Sequence, residues 1–120
     1  MIPHSRPFFD SKDEEAVLGT LRRRFVTYGA EARRLGEELA RVVGKKWGIP
    51  VQSGTDAITA SLTILGVGQG HKVALQSYLC SAPLDALSIV GAEPLLIDID
   101  KATLSVDPRA RREISSSEAI

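Results

Sequence analysis

From residue 49 onward, short apolar runs alternate with segments of helical period, and a glycine follows each helical stretch. This alternation leaves few folds open. Residues 49–52 read as a short strand, with Pro50 marking a strand end or edge position. Asp56 to Leu65 reads as a helix whose inner face carries Ile58, Leu62 and Leu65 and which ends at Gly66. Val73 to Ser77 forms the next predicted strand. Ser81 to Val90 is a second crossover helix, with Pro83 tolerated in its first turn, Asp85 favourable to the dipole and Gly91 at its end. Pro94 to Ile99 is a third strand, a near-continuous apolar run of the kind found in a covered parallel sheet. Asp107-Pro108 starts a short helical turn. The expected architecture is a layered α/β fold built of βαβ units.

The N-terminal part carries a different pattern. Ser11-Lys12-Asp13-Glu14 reads as a capping box with Ser11 as N-cap, opening a helix to about Arg24 with Ala16, Val17 and Leu21 inward. Phe25-Val26-Thr27-Tyr28-Gly29 breaks the pattern. A second helix follows, with Ala32, Leu35, Leu39, Val42 and Val43 at helical spacing and Gly44 as its stop. Gly36 in its middle implies either a closely packed neighbour or a weakened helix, at about 1 kcal/mol relative to alanine. The 120 residues are expected to form at most one domain, with residues 1–48 as a helical segment, 49–120 as a βαβαβ portion, and no boundary between them.

Composition narrows the function classes. Fifteen basic residues balance fifteen acidic ones, which removes the electrostatic case for nucleic acid or an anionic membrane. The clusters Arg22-Arg23-Arg24 and Arg109 to Arg112 lack interleaved aromatics and read as solvated surface. No apolar run approaches the roughly 18 residues of a membrane span, and the N-terminus lacks the order of a secretory signal. Cys80 is the one cysteine, which excludes an internal disulfide, and with two histidines it offers no metal-ligand spacing. A cytoplasmic protein is the expectation.

The run Ser53-Gly54-Thr55-Asp56-Ala57 carries the chemistry. A glycine turn opening onto a helix leaves several backbone N–H groups unpartnered where the helix dipole is positive, so the corner suits an anion. Thr55 and Asp56 read as N-cap candidates.

Read in order, Pro3-His4-Ser5-Arg6-Pro7, Phe25-Val26-Thr27-Tyr28-Gly29, Ser53-Gly54-Thr55-Asp56-Ala57, Leu65-Gly66-Val67-Gly68-Gln69-Gly70, Gly91-Ala92-Glu93-Pro94 and Ile97-Asp98-Ile99-Asp100 resemble the N-terminal third of the DegT/DnrJ/EryC1/StrS aminotransferases. The resemblance implies the N-terminal part of the large domain of the aspartate-aminotransferase-like, type I pyridoxal-phosphate (PLP) fold. That fold is three-layer α/β/α with a mainly parallel sheet, here incomplete. It also implies PLP as cofactor and nucleotide-linked keto-sugars as substrates. In the family the SGT turn holds the cofactor phosphate, which assigns Ser53, Gly54, Thr55 and Asp56. After the second strand the family commonly reads Pro-Ser-Tyr-Thr-Phe, with the last aromatic stacked on the pyridine ring. Here Gln76-Ser77-Tyr78-Leu79-Cys80 stands in its place, so Tyr78 and Cys80 are the implied ring neighbours.

The family's Schiff-base lysine and ring-nitrogen carboxylate belong to segments with no counterpart in these residues. Lys12, Lys45, Lys46 and Lys101 do not match the family's serine-flanked lysine motif, so no catalytic residue is assigned. Asp98 and Asp100 read as turn and cap residues, while Gly36, usually glutamate in the family, and His71-Lys72 are expected on the surface. The family places later strands between the first strand and the next two, so these residues alone would expose sheet edges and apolar surface. The chain is therefore expected to repack its sheet, to associate with itself or a homologous chain, or to be a piece of a longer product. Two further readings stand beside the aminotransferase one: a non-catalytic partner of a full-length homologue, and a simple phosphate binder using the Gly54 turn.

Overall fold

The computed structural model describes residues 2–110, which divide into two compact units at Pro50 and Val51. In the first unit, helix α1 (Ser11–Arg22) is capped one residue earlier than the sequence suggests. Asp10 is the N-cap: its Oδ1 accepts from the Lys12 and Asp13 N–H groups at 2.8 and 3.1 Å, and Asp13 Oδ2 accepts from the Asp10 N–H at 2.9 Å. Both D-x-x-D and S-x-x-E fit the capping pattern here, and an ionised carboxylate is the stronger acceptor for two amides. Arg23 at its C-cap ion-pairs with Glu31 at 2.8 Å. The expected inner face is not buried, because Ala16, Val17 and Leu21 are all exposed and α1 buries no residue.

Helix α2 (Ala30–Val42) buries Gly36 and Ala40 and exposes its leucine and valine stripe, Leu35, Leu39 and Val42 together with Val43 beyond it. Gly44 follows with φ +66, the left-handed conformation that glycine adopts at low cost after a helix. Gly36 is not a surface residue as expected. A side chain at position 36 would run into the Gly48 carbonyl and come within 3.0 Å of the Pro50 ring, and one at Gly48 would strike the Gly36 carbonyl. Two glycines facing each other thus let residues 48–50 cross α2 at backbone distance. The close neighbour, not a weakened helix, explains Gly36.

The second unit contains α3 (Gly54–Ile64), β1 (Lys72–Gln76), α4 (Ala82–Val90), β2 (Glu93–Ile97) and a 3-10 turn at Pro108–Ala110. Strands β1 and β2 run parallel, in register from Lys72 opposite Glu93 to Gln76 opposite Ile97, with α4 as the crossover. The core gathers Val67, Leu87 and Ala92, with Leu62, Val73, Leu75 and Val90 packed against them. Leu87 is 1% exposed. Gly66 and Gly91 terminate α3 and α4 at φ +74 and +77, as their positions after apolar helical segments suggest. Of the predicted inner face of α3, Ile58 and Leu62 are half-buried, but Leu65 is an exposed C-cap.

Residues 49–52 do not form the predicted first strand. A strand needs a ladder partner, and among the described residues β1 and β2 pair only with each other. The third strand ends at Ile97, after which Ile99 makes an isolated antiparallel bridge to Val106. Arg111 and Arg112 of the second arginine cluster lie outside the described residues.

Candidate functional site

The corner at the start of α3 is built by Ser53. With φ −153 and ψ 165 it sits in the extended region as N-cap, and its Oγ accepts from the Asp56 N–H at 3.1 Å. Ser53, not Thr55 or Asp56, is therefore the cap. The signal was present in the sequence, since Ser53-x-x-Asp56 is a capping signature that starts two positions before Thr55. The Ser53 carbonyl accepts from the Ala57 N–H at 3.1 Å. Among the described residues, the N–H groups of Gly54 and Thr55 donate to no acceptor. The Asp56 N–H is already engaged, so Gly54 and Thr55 are the free donors of this corner.

Nothing crowds them. A Cβ built on Gly54 meets no atom within 4 Å, and Ser53 and Gly54 are exposed. Two unpartnered amides at the positive end of an eleven-residue helix have the chemistry to accept an anion. The glycine joins an unpaired extended segment to the helix rather than a strand, but the cap geometry does not depend on that ladder.

Tyr78 and Cys80 lie beyond the carboxyl end of β1, in the same unit as this corner. Ligands of parallel α/β sheets bind at such strand ends. Tyr78 is 64% exposed, so its ring is not packed at the strand end, and its carbonyl accepts from Gln76 Nε2 at 2.7 Å. Cys80 is a free, exposed thiol. Neither is hydrogen-bonded to the Ser53 corner among the described residues.

The carboxylates near the end of β2 serve turns, as expected. Asp98 Oδ1 accepts from the Ile99 N–H at 2.9 Å. Asp100 Oδ1 accepts from the Ala102 and Thr103 N–H groups at 2.9 and 3.0 Å, and the Thr103 and Ala102 amides together hold its carboxyl below the usual range. Asp107 is held low chiefly by the Arg109 side chain, 2.6 Å away at its closest. Among the described residues no group of histidine, cysteine and carboxylate side chains could hold a metal ion.

A fifth lysine, Lys72, escaped the sequence reading of candidate amines. It opens β1 on the surface, opposite Glu93. His71 is half-buried, with Nδ1 3.2 Å from the Gly68 N–H and carbonyl. Its ring therefore closes the turn after α3 and does not stand free on the surface.

Solved structures share this fold. The chain is similar to Spr1654 of Streptococcus pneumoniae, described as a sugar aminotransferase, at 27% identity and a TM-score of 0.87; the match covers 93% of this chain and 28% of that one. Forms of that protein with PLP and with PMP have been solved. An aminotransferase from Psychrobacter cryohalolentis matches at 29% identity and a TM-score of 0.83, over 92% of this chain and 29% of that one. The E. coli GDP-4-keto-6-deoxy-D-mannose-3-dehydratase, solved with hydrated PLP, is 21% identical with a TM-score of 0.83 and shares the fold over 92% of this chain and 30% of its own. This chain thus spans less than a third of the length of each. The sequence profile of the DegT/DnrJ/EryC1/StrS aminotransferases matches residues 7–117. On that match, carried through both units of a PLP-dependent aminotransferase fold, the chain belongs to the DegT/DnrJ/EryC1/StrS aminotransferase family.

Proposed function

We propose that this chain supplies the cofactor-phosphate cradle of a PLP-dependent aminotransferase acting on nucleotide-linked keto-sugars, and that these 120 residues alone do not catalyse the reaction. The observation that carries the proposal is the open pair of amides at Gly54 and Thr55, fixed by the Ser53 cap. When bound, PLP supplies an electron sink for amino-group transfer. In this reading the chain's own residues bind and orient. The Gly54 and Thr55 N–H groups donate to phosphate oxygens, and the dipole of α3 adds favourable potential. Ser53 holds the first turn rigid by engaging the Asp56 amide, and Tyr78 and Cys80 line the approach of the ring. The E. coli relative shows that the fold also carries a dehydratase, so the reaction type rests on the family match and not on the fold. A single cysteine fits a reducing compartment, and the cytoplasm is part of the same proposal.

The test is protection against thermal unfolding by pyridoxal 5′-phosphate compared with pyridoxal, which lacks the phosphate. Gly54→Pro supplies the decisive variant. Proline is favoured at the first helical position, and Ser53 already has the extended backbone that proline requires before it, so α3 should persist. The variant removes one free N–H and blocks the approach. Protection by the phosphate ester, absent with pyridoxal and lost in Gly54→Pro, is the expected result. Equal protection by both compounds, or an unchanged response in the variant, overturns the proposal.

A second reading, association with a homologous chain or with a second copy, is favoured by the exposed Ile64, Leu65, Ile89 and Leu96. The outer edges of β1 and β2 also lack a strand partner among the described residues. Surfaces of this kind mark interfaces. A stable monomer across a wide range of concentration in size-exclusion chromatography removes this reading.

A further inference from the structure

We propose that β1 is the docking edge for a second copy of this chain, whose own β1 lies antiparallel to it about Ala74 and joins the two sheets into one. This rests on the association reading above and gives it an edge, a partner and a register. Two hydrogen bonds fix which way the backbone groups point. The Glu93 N–H donates to the His71 carbonyl and the Ser77 N–H to the Ile97 carbonyl, both at 2.8 Å. Along a parallel pair, successive residues send their N–H and C=O groups to opposite sides. Val73 and Leu75 therefore address β2, while Lys72, Ala74 and Gln76 address the open side. On β2 the residues turned outward are Pro94 and Leu96.

The two outer edges are not equivalent. Pro94 has no N–H to offer, and the carbonyl of Asp98, next in the same outward row, is taken by the Asp107 N–H at 3.1 Å. Leu96 is the one residue of β2 left with both groups turned outward. The β1 edge keeps three such residues, and their backbone groups have no partner among the described residues. A two-stranded sheet with one blunt and one open edge gains most from a strand on the open side. A second copy fits that row by symmetry. Lys72 and Gln76 are evenly spaced about Ala74, so an antiparallel β1 matches all three residues at once, with about six hydrogen bonds around a closed twofold axis. The charges fit as well. Each Lys72 stands opposite a neutral Gln76 of the other copy, with the two lysines about 14 Å apart, and chains of zero formal net charge do not repel one another. The joined sheet runs β2-β1-β1-β2, with the blunt edges outside.

Ala74 sits on the twofold axis, so it is the position that reports the pairing. In a Cys80→Ser background, which removes the one native thiol, Ala74→Cys sets two thiols across an antiparallel pair. Their Cα atoms are then about 5.5 Å apart, within disulfide reach. Mild oxidation of the full chain should give a covalent dimer on non-reducing electrophoresis at least about fivefold faster than with Leu96→Cys on the β2 edge. Lys72→Cys and Gln76→Cys should each cross-link slowly alone and fast when mixed, because each meets the other and not itself. Gln76→Lys places lysine against lysine at both ends of the pair. It should weaken the dimer about threefold to tenfold in sedimentation equilibrium, whereas Leu96→Lys should leave it unchanged. Cross-linking no faster at position 74 than at position 96, or fast cross-linking of Lys72→Cys alone, overturns the β1 pairing. If the chain still self-associates in that case, the association reading survives on its apolar residues. A monomer at every concentration removes both.

Discussion

The two units of this chain bury their residues in opposite ways. Residues 51–110 enclose aliphatic side chains between two helices and a parallel strand pair, with Leu87, Val67 and Ala92 at the centre. Residues 2–50 bury almost no side-chain volume, and backbone lies against backbone where Gly36 meets Gly48. One unit is held by apolar area removed from water, the other by a close crossing that tolerates no side chain. The same substitution should therefore have opposite consequences in the two halves, since truncation damages the first and enlargement the second.

The sharpest way to break this comparison is Leu87→Ala. It removes a side chain that is 1% exposed and should cost about 2–5 kcal/mol, read by denaturant unfolding, whereas Leu39→Ala, on an exposed stripe, should cost less than about 1 kcal/mol. Similar losses at the two positions would show that α2 is covered in solution. The converse test is Gly36→Ala. Glycine to alanine inside a helix is normally stabilising by about 1 kcal/mol, yet here the added methyl meets the Gly48 carbonyl and should destabilise by about 1–3 kcal/mol. A gain of helicity by circular dichroism would remove the close crossing. Next in size is Gly91→Ala, which forces a left-handed residue at φ +77 and should cost about 1–2 kcal/mol of stability, again measured by denaturant unfolding. Ser53→Ala removes the cap of α3 for about 1 kcal/mol, with amide exchange at Asp56 as the local readout.

The smallest effect is a pH dependence confined to the turn after β2. Asp100 and Asp107 have carboxyls held below their ordinary value by amide donors and by Arg109 respectively. A depressed carboxylate contributes stability in full above its unfolded value, about pH 3.9, and loses it as the pH falls through the lower folded value. Amide shifts of Ala102 and Thr103 should thus stay constant from neutrality down to about pH 4 and move only below it, and Asp100→Asn should abolish that movement. Movement centred well above pH 4 would contradict the assigned hydrogen bonds.

The second unit was largely legible in the sequence because its signals are local and agree with one another. Pro83 and Asp85 at the start of α4, the glycines after α3 and α4, and the apolar runs of β1 and β2 each specify their element without help from distant residues. The Ser53 corner was legible as a helix start for the same reason, although the cap was placed on Thr55 or Asp56 instead of Ser53. The failures share a different cause. Residues 49–52 have a strand's composition, but a ladder partner is a non-local requirement. Val17, Leu21, Leu35 and Leu39 have a buried face's periodicity, but periodicity does not supply a partner surface. Gly36 was expected on the surface, although a close neighbour was one of the two readings of a glycine there, because nothing near it in sequence announces Gly48 as that neighbour.

The amino-acid sequence by itself determined the helix boundaries to within a residue or two, the βαβ order, the glycine turn that opens α3 and the family. These follow from hydrogen bonds and periodicities that close within a few residues. Tertiary structure alone decided which apolar stripes are covered and that two glycines twelve positions apart touch. Each of those depends on segments separated along the chain meeting in space, and no local propensity encodes that meeting.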